Sequence, residues 1–114
     1  MPRFVVLSHD WPAPHLDLLI ERDGVLKAWR LPADCDGTPP CPAEVNADHR
    51  PHYLDFEGPV AGDRGTVTRW DTGLAEWEEV GPERIAVRFA GQRLNGRYEI
   101  VRRDGETWEL RRCP

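Results

Sequence analysis

Eleven prolines are spread over the 114 residues of this chain, and no stretch between them keeps a helical period for more than one or two turns. Proline lacks the backbone N–H group that a helix interior needs, so this spacing argues against long helices. Several of the short segments between turns alternate apolar and polar residues. Such alternation is typical of strands, whose successive side chains point to opposite faces. The chain is therefore expected to be mainly β.

Seven or eight strands are expected, separated by turn signals at regular spacing. Asp23-Gly24 and Asp104-Gly105 are strong signals for tight hairpins. Residues 32–47 are rich in proline and weakly periodic, so we expect a loop there. The predicted strands cover residues 3–8, 15–23, 25–31, 65–71, 75–80, 84–90, 96–103 and 107–112. This arrangement favours a barrel or a sandwich.

The length predicts a single domain over residues 1–114. No apolar run approaches the roughly 20 residues of a membrane span, and the first apolar stretch is too short for a signal peptide. We therefore expect a cytoplasmic protein without a membrane partner. Three cysteines, none in a C-x-x-C pair, indicate neither a disulfide framework nor a zinc ribbon.

The net charge of −5 is unevenly distributed. Residues 1–57 hold 5 basic and 10 acidic side chains, whereas residues 58–114 hold 10 of each. The acidic balance argues weakly against non-specific nucleic-acid binding. A cation bound by the first half would offset part of its negative charge.

The acidic half contains possible metal ligands in the stretch SHDWPAPHLDLLIE. Alternate residues of a strand share a face, so His15 and Asp17 should point the same way, with His9 returning beside them from the preceding strand. Imidazole and carboxylate groups suit Mn, Zn or Fe, and three protein ligands leave positions open for water or substrate. From the spacing alone, a solvated strand edge is the stronger interpretation, because H-x5-H-x-D is not a widely shared metal motif.

A second polar group lies in the stretch DHRPHYLDFEGP, residues 48–59. His49 and Tyr53, four residues apart, can grip a phosphate or act in acid–base chemistry. The alternative, favoured by the residues alone, is a loop whose aromatic side chains Tyr53 and Phe56 pack inward. Trp11, between the two histidines of the first group, either packs its loop or stacks on a base.

Together these segments resemble a known family. FVVLSHDWPAPHLDLLIERDGVLKAWRLP and DHRPHYLDFEGPVAGDRGTVTRWDTG are similar to the 3′-phosphoesterase domain of bacterial DNA ligase D, a module that also occurs as small free-standing proteins. The similarity is collinear from Phe4 to about Asp71 and continues weakly to Trp108. Its motifs H-D-x4-H-x-D, D-G-V-L-K-x-W, D-H-x3-Y-x-D-F-E-G and G-T-V-x-x-W-D are specific in combination.

The resemblance implies a small closed or partly closed β-barrel with at most short helical turns. It implies a divalent metal, Mn²⁺ first and Zn²⁺ second, and removal of a terminal ribonucleoside and then the 3′-phosphate before ligation. DNA 3′ ends are then the expected partner, and a DNA ligase or polymerase is a further candidate. Carried over by position, His9, His15 and Asp17 hold the metal, while His49 contacts the scissile phosphate and Tyr53 assists there.

Two positions depart from the family pattern. The family has an arginine where this chain has Leu19, which should border the metal pocket, and a second arginine where it has Cys41. Other side chains must then contact the substrate. The candidates for that role are Arg50, Arg64, Arg69 and Trp11.

Two functions are therefore considered. The first is a metal-dependent phosphoesterase acting on 3′ ends of DNA in end repair before ligation, favoured by the triad and His49. The alternative is a non-catalytic, metal-stabilised module that binds DNA ends or a ligase or polymerase partner. Leu19 and the acidic balance favour the alternative.

Overall fold

A computed structural model describes residues 1–36, 40–105 and 107–114. Strands dominate this part of the chain, and one 3₁₀ turn spans Pro51–Leu54. The strands are β1 (Arg3–His9), β2 (His15–Arg22), β3 (Val25–Pro32), β4 (Cys41–His49), β5 (Gly58–Pro59), β6 (Thr66–Val80), β7 (Arg84–Ala90), β8 (Asn95–Asp104) and β9 (Thr107–Arg112).

Eight of the strands close into an antiparallel barrel. Their order is β1-β2-β3-β4-β9-β8-β7-β6, and β6 pairs back with β1. The ninth strand, β5, is added outside the barrel to the start of β6. Closure removes the free edges that an open sheet would expose. The expectation of a mainly β, barrel-forming chain is confirmed, and the sandwich is excluded.

The β2–β3 hairpin forms at the predicted turn. Asp23 and Gly24 both have positive φ, 53° and 81°, as a two-residue type I′ turn requires. Arg22 therefore faces Val25, and the register continues without a shift along both strands.

The loop predicted over residues 32–47 is partly a strand, so that prediction was wrong. β4 begins at Cys41 and pairs with β3 on one side and β9 on the other. Residues 37–39 of the predicted loop lie outside the described part. β4 is buried at only two positions, Cys41 and Ala43. Its other residues include Pro42 and several exposed polar side chains, so its sequence lacks the regular apolar alternation that would have predicted a strand.

Cys35 and Cys41 are joined by a disulfide, contrary to the expectation from the cysteine count. The odd count leaves Cys113 as the free thiol. The disulfide links the segment that follows β3 to the first residue of β4. It is a local connection between residues six apart, and the cysteine count alone does not predict it.

The strands predicted at 65–71 and 75–80 are one continuous strand, β6. Its first half pairs with β1 and its second half with β7. Gly73, between the two predicted strands, lies where a side chain would meet the backbone of Ala90. A glycine inside a strand often marks such a close backbone approach.

Two apolar clusters lie on opposite faces of the barrel wall. The interior cluster receives side chains from eight strands, among them Phe4, Leu18 and Tyr98. The outer cluster is smaller and lies over β1, β2, β3 and β6, beneath the 3₁₀ turn. Its buried members are Val5, Leu7, Leu19, Leu26, Ala28, Leu54 and Val67.

No helix in the described ranges has the length and apolar character needed to cross a membrane.

Candidate metal centre

The triad lies on the outer face of the barrel, where β1 ends and β2 begins. His9 is the cross-strand partner of His15, and Leu7 is the partner of Asp17. One ligand atom from each of the three triad residues lies within 4.8 Å of the other two. His15 and Asp17 are only 6% exposed, so the solvated strand edge does not describe them.

Each triad histidine has one ring nitrogen fixed by a backbone carbonyl. Nδ1 of His15 lies 2.8 Å from the carbonyl oxygen of Ala13. Nε2 of His9 lies 2.8 Å from the carbonyl oxygen of Arg64. A carbonyl oxygen only accepts, so these nitrogens carry the protons and donate. Metal-binding histidines commonly hold their second nitrogen in this way.

The remaining nitrogens face the Asp17 carboxylate. Nδ1 of His9 lies 3.2 Å from Oδ2, and Nε2 of His15 lies 3.1 Å from Oδ1. Within the described residues, Nε2 of His15 is buried and has no hydrogen-bond partner, because its geometry toward Oδ1 does not make a bond.

With neutral imidazoles, three electron-pair donors converge on one point. Lone pairs and a carboxylate repel one another in a buried site unless a cation or proton lies between them. Two imidazole nitrogens and one carboxylate oxygen suit a divalent transition metal. His9, His15 and Asp17 therefore form a possible metal-binding triad.

A cavity of about 140 Å³ opens beside the triad. His9 and Asp17 line one wall, and His49 and Tyr53, whose ring centroids are 5.6 Å apart, line another. Nδ1 of His49 donates to the carbonyl oxygen of Ala47 at 2.8 Å. Nε2 is therefore the nitrogen of His49 that is available to contact a ligand in the cavity.

The 3₁₀ turn positions Tyr53. Leu54 is buried in the outer cluster and anchors the turn to the barrel wall. The Arg3 guanidinium bonds Asp55 at 2.7 Å, which lowers the pKa of that carboxyl and fastens the end of the turn to β1. Phe56 packs against the same cluster, so the inward packing expected of this segment coexists with the cavity wall.

Two of the four candidate substrate contacts reach the cavity. Trp11 lines it and is 43% exposed, and Arg64 lines it too. Nε of Arg64 donates to the carbonyl oxygen of Ala61. Arg50 is exposed just before the 3₁₀ turn and is not a cavity residue. Arg69 borders a different depression, beside Trp70.

Leu19 lies on the same strand face as His15 and Asp17, as expected, but it is fully buried in the outer cluster. It is not among the residues that line the cavity. The expectation that it borders the metal pocket was therefore wrong, because Leu19 packs in the outer cluster together with Leu54 of the 3₁₀ turn.

The loop before β6 also shapes the site, which the sequence did not reveal. Gly65 has φ of 77°, and a side chain there would collide with Oδ1 of Asp10 and Cβ of Trp11. Oδ1 of Asp10 accepts a bond from the Thr66 N–H at 2.8 Å. The carbonyl that orients His9 thus belongs to a loop that packs against Asp10 and Trp11. The glycine before a strand was the available signal.

The chain matches a known family along most of its length. A family model described as the DNA ligase D 3′-phosphoesterase domain matches residues 7–102. The chain is 32% identical over 114 aligned residues to the multifunctional non-homologous end joining protein LigD of Mycobacterium bovis, covering 92% of this chain and 15% of that protein. It is 33% identical over 117 aligned residues to the LigD protein of Pseudomonas aeruginosa, covering 88% of this chain and 13% of that protein.

The chain therefore spans only a small part of the length of these relatives. The family model, in contrast, covers most of the chain and both groups of site residues. On this basis, the chain belongs to the DNA ligase D 3′-phosphoesterase domain family.

Proposed function

We propose that the protein is a metal-dependent phosphoesterase that acts on 3′ ends of DNA in end repair before ligation. Its substrates are a 3′-phosphate and a terminal 3′-ribonucleotide. The observation that carries the proposal is the convergence of three electron-pair donors, from His9, His15 and Asp17, beside a cavity walled by His49 and Tyr53.

Each site residue has a role in this proposal. The triad holds a divalent cation, Mn²⁺ first and Zn²⁺ second, which supplies Lewis-acid assistance to a phosphoryl oxygen. Nε2 of His49 donates a proton or hydrogen bond to the departing ester oxygen. The Tyr53 hydroxyl donates to a phosphate oxygen, and the exposed ring of Trp11 stacks on the terminal base.

The reaction is hydrolysis of a phosphate ester. On a terminal ribonucleotide, water attacks phosphorus, the bond from phosphorus to the 5′ oxygen of the terminal nucleoside breaks, and the nucleoside leaves a 3′-phosphate behind. On a 3′-phosphate, water attacks phosphorus, the bond from phosphorus to the 3′ oxygen breaks, and a free 3′-hydroxyl and inorganic phosphate result. In both steps a proton passes to the ester oxygen as it leaves, and this proton transfer is assigned to His49. No redox step or further co-reactant is needed.

The test is incubation of the purified protein with Mn²⁺ or Zn²⁺ and a primer–template that ends in a 3′-phosphate or one ribonucleotide. Release of phosphate, or loss of the terminal nucleoside, is the expected result. A protein that binds metal but leaves both ends unchanged would reject the proposal.

A second function is a non-catalytic module that binds DNA ends or a ligase or polymerase partner. Leu19 favours it, because the buried leucine at this position supplies no positive charge to a bound phosphate. Unchanged DNA ends, together with metal-dependent binding of the same primer–template, would support this second function.

A further inference from the structure

Arg30 lies next to the triad on the neighbouring strand. In the β2–β3 pairing it is the cross-strand partner of Asp17, and in the β3–β4 pairing it faces Glu44. Its sequence neighbours Trp29 and Leu31 belong to the interior cluster. Strand alternation therefore puts Arg30 on the outer face, the face that carries Asp17.

Arg30 has no ion pair or hydrogen bond within the part of the chain that the structure describes. Its Nε is buried without a partner. Asp17 does not pair with it, because both carboxylate oxygens are directed at His9 and His15. A buried guanidinium nitrogen without a partner costs free energy, so this group favours binding of an anion.

The surroundings of Arg30 form a shallow groove separate from the cavity. His15 borders this groove, whereas His9 and Asp17 border the cavity, so the triad is the wall between them. Three prolines line the groove, Pro14, Pro32 and Pro42. Proline has no backbone N–H group, so these walls offer an anion no backbone donors and leave that role to Arg30.

We propose that this groove is a second phosphate subsite, in which Arg30 binds the phosphodiester adjacent to the terminal phosphate of a DNA strand. The proposal rests on the proposed function, which puts the terminal phosphate in the cavity across the triad. The ligand class is thus an oligonucleotide with at least two phosphates near its 3′ end. Glu44, which also lines the groove, is exposed, and no ion pair joins it to Arg30 in the part of the chain that the structure describes.

The test compares the affinities of two ligands, both measured in the presence of Mn²⁺. One ligand is an oligonucleotide that ends in a 3′-phosphate, and the other is a nucleoside 3′-monophosphate. Charge-assisted hydrogen bonds contribute about 1.5–3 kcal/mol, so Arg30→Met should weaken oligonucleotide binding roughly tenfold or more. Binding of the mononucleotide should stay within about twofold, since it has no second phosphate. Arg30→Lys, which keeps the charge, should restore part of the oligonucleotide affinity.

Arg88→Met is the matched control. Arg88 lies on the outer face of β7, on another side of the barrel, and its Nε bonds Glu78 at 3.1 Å. The control removes the same charge from the same kind of side chain. Equal losses of oligonucleotide affinity in Arg30→Met and Arg88→Met would attribute the effect to general electrostatics and overturn the subsite. Equal losses for both ligands in Arg30→Met would assign Arg30 to the terminal phosphate and also overturn it.

A measurement without DNA separates a binding role from a structural one. Removing a positive charge beside Asp17 should raise Mn²⁺ affinity, because like charges repel. A supporting role for Arg30 predicts the opposite, weaker Mn²⁺ binding, and that result in calorimetry would overturn the proposal.

The subsite and the phosphoesterase function can fail separately. If the wild-type protein leaves DNA ends intact but shows the Arg30-dependent difference between the two ligands, the subsite stands and the phosphoesterase does not. If the wild-type protein releases phosphate and Arg30→Met binds the oligonucleotide as tightly as wild type, the subsite is rejected and the phosphoesterase stands.

Discussion

At the scale of single residues, much of the candidate site could be predicted from strand period alone. His15 and Asp17 share a face because they are two residues apart, and His9 faces His15 across the hairpin. Arg30 was overlooked although the signal was present. The two-residue turn at Asp23-Gly24 fixes the register, and counting back from it places Arg30 opposite Asp17. The orienting carbonyl of Arg64 depends on a contact across 55 residues, which no local pattern contains.

The triad predicts one divalent metal site. His15→Ala removes a buried nitrogen that has no hydrogen-bond partner among the described residues, so Mn²⁺ affinity should fall at least about tenfold with the loss of one of three ligands. Calorimetry measures the change. The matched control is His52→Ala, whose imidazole is exposed and does not line the cavity. Equal Mn²⁺ affinity in wild type and His15→Ala would exclude the triad.

His49 is predicted to act in chemistry and not in metal binding. Loss of a general acid typically costs 10²–10⁴ in rate, so phosphate release by His49→Ala should fall by roughly that factor. Mn²⁺ affinity should stay within about threefold of wild type, since His49 is not a member of the triad. A His49 that only supports its loop would instead lower the melting temperature together with the activity, and the two measurements separate these cases.

At the scale of elements, the 3₁₀ turn and the loop before β6 determine what the strand pattern could not. The alternation of β2 predicted which side chains share a face, but not that the outer face is itself covered beyond Asp17. Leu54 and Leu19 belong to one buried cluster, although they are distant in sequence. β4 was missed for a similar reason, since pairing with β3 and β9 holds a segment with little apolar periodicity of its own.

Because Leu19 is buried, we predict that a charged residue at this position destabilises the fold. Leu19→Arg puts a charge without a partner into the outer cluster, which should destabilise the fold by about 3–5 kcal/mol. Leu19→Met, which conserves volume and polarity, should cost less than about 1.5 kcal/mol. Urea denaturation of both variants measures the difference. A stable Leu19→Arg protein would show that the 3₁₀ turn can open and expose this position.

Gly65 gives a prediction about how a loop supports the site. In Gly65→Ala the new methyl group collides with Asp10 and Trp11, so the loop that orients His9 must shift. Displacing such a second partner of a ligand typically costs 10–100-fold in metal affinity, so Mn²⁺ binding should weaken by roughly tenfold or more.

Gly24→Ala is the control for Gly65→Ala. Gly24 also has a positive φ, 81°, but nothing lies within 4 Å of the added methyl group. This variant carries a similar backbone strain without disturbing the site, so its Mn²⁺ affinity should equal that of wild type. A loss of affinity in both variants would attribute the effect to global destabilisation.

At the scale of the whole molecule, the mainly β class followed from the sequence more completely than any single contact did. Short alternating segments, two Asp-Gly turns and many prolines favoured a barrel or a sandwich, and only the family resemblance implied a closed or partly closed barrel. The choice between barrel and sandwich depended on β6, whose fifteen residues reach from β1 to β7. Gly73, in the middle of this strand, lies where a side chain would collide with the backbone of Ala90.

The burial of Tyr98 in the barrel interior predicts a loss of stability at alkaline pH. Tyr98 is 1% exposed, and burial raises the pKa of its hydroxyl above the ordinary value of 10.0. The unfolded chain then loses this proton at a lower pH than the folded chain does. The free energy of unfolding should therefore be unaffected by Tyr98 below about pH 10 and should decrease as the pH rises through and beyond that value.

Tyr98→Phe tests this contribution. Urea denaturation at pH 8 and at pH 10.5 should show a smaller decrease for the variant than for wild type, because phenylalanine has no hydroxyl to titrate. Identical decreases in the two proteins would assign the alkaline loss to other groups.

The bond between His9 and the Arg64 carbonyl has a thermodynamic consequence. The three proposed ligands lie within nine residues of one another, but His9 keeps its orientation only while β6 and its loop are in place. A cation held there would bind the closed barrel and not the open chain, so occupancy and closure become linked equilibria. At a hundredfold excess over the dissociation constant, that linkage adds about 2.7 kcal/mol to the free energy of unfolding. The melting temperature would then rise with metal concentration. The slope of melting temperature against metal concentration would measure how strongly metal binding is coupled to the closure of strands that do not contact the ion.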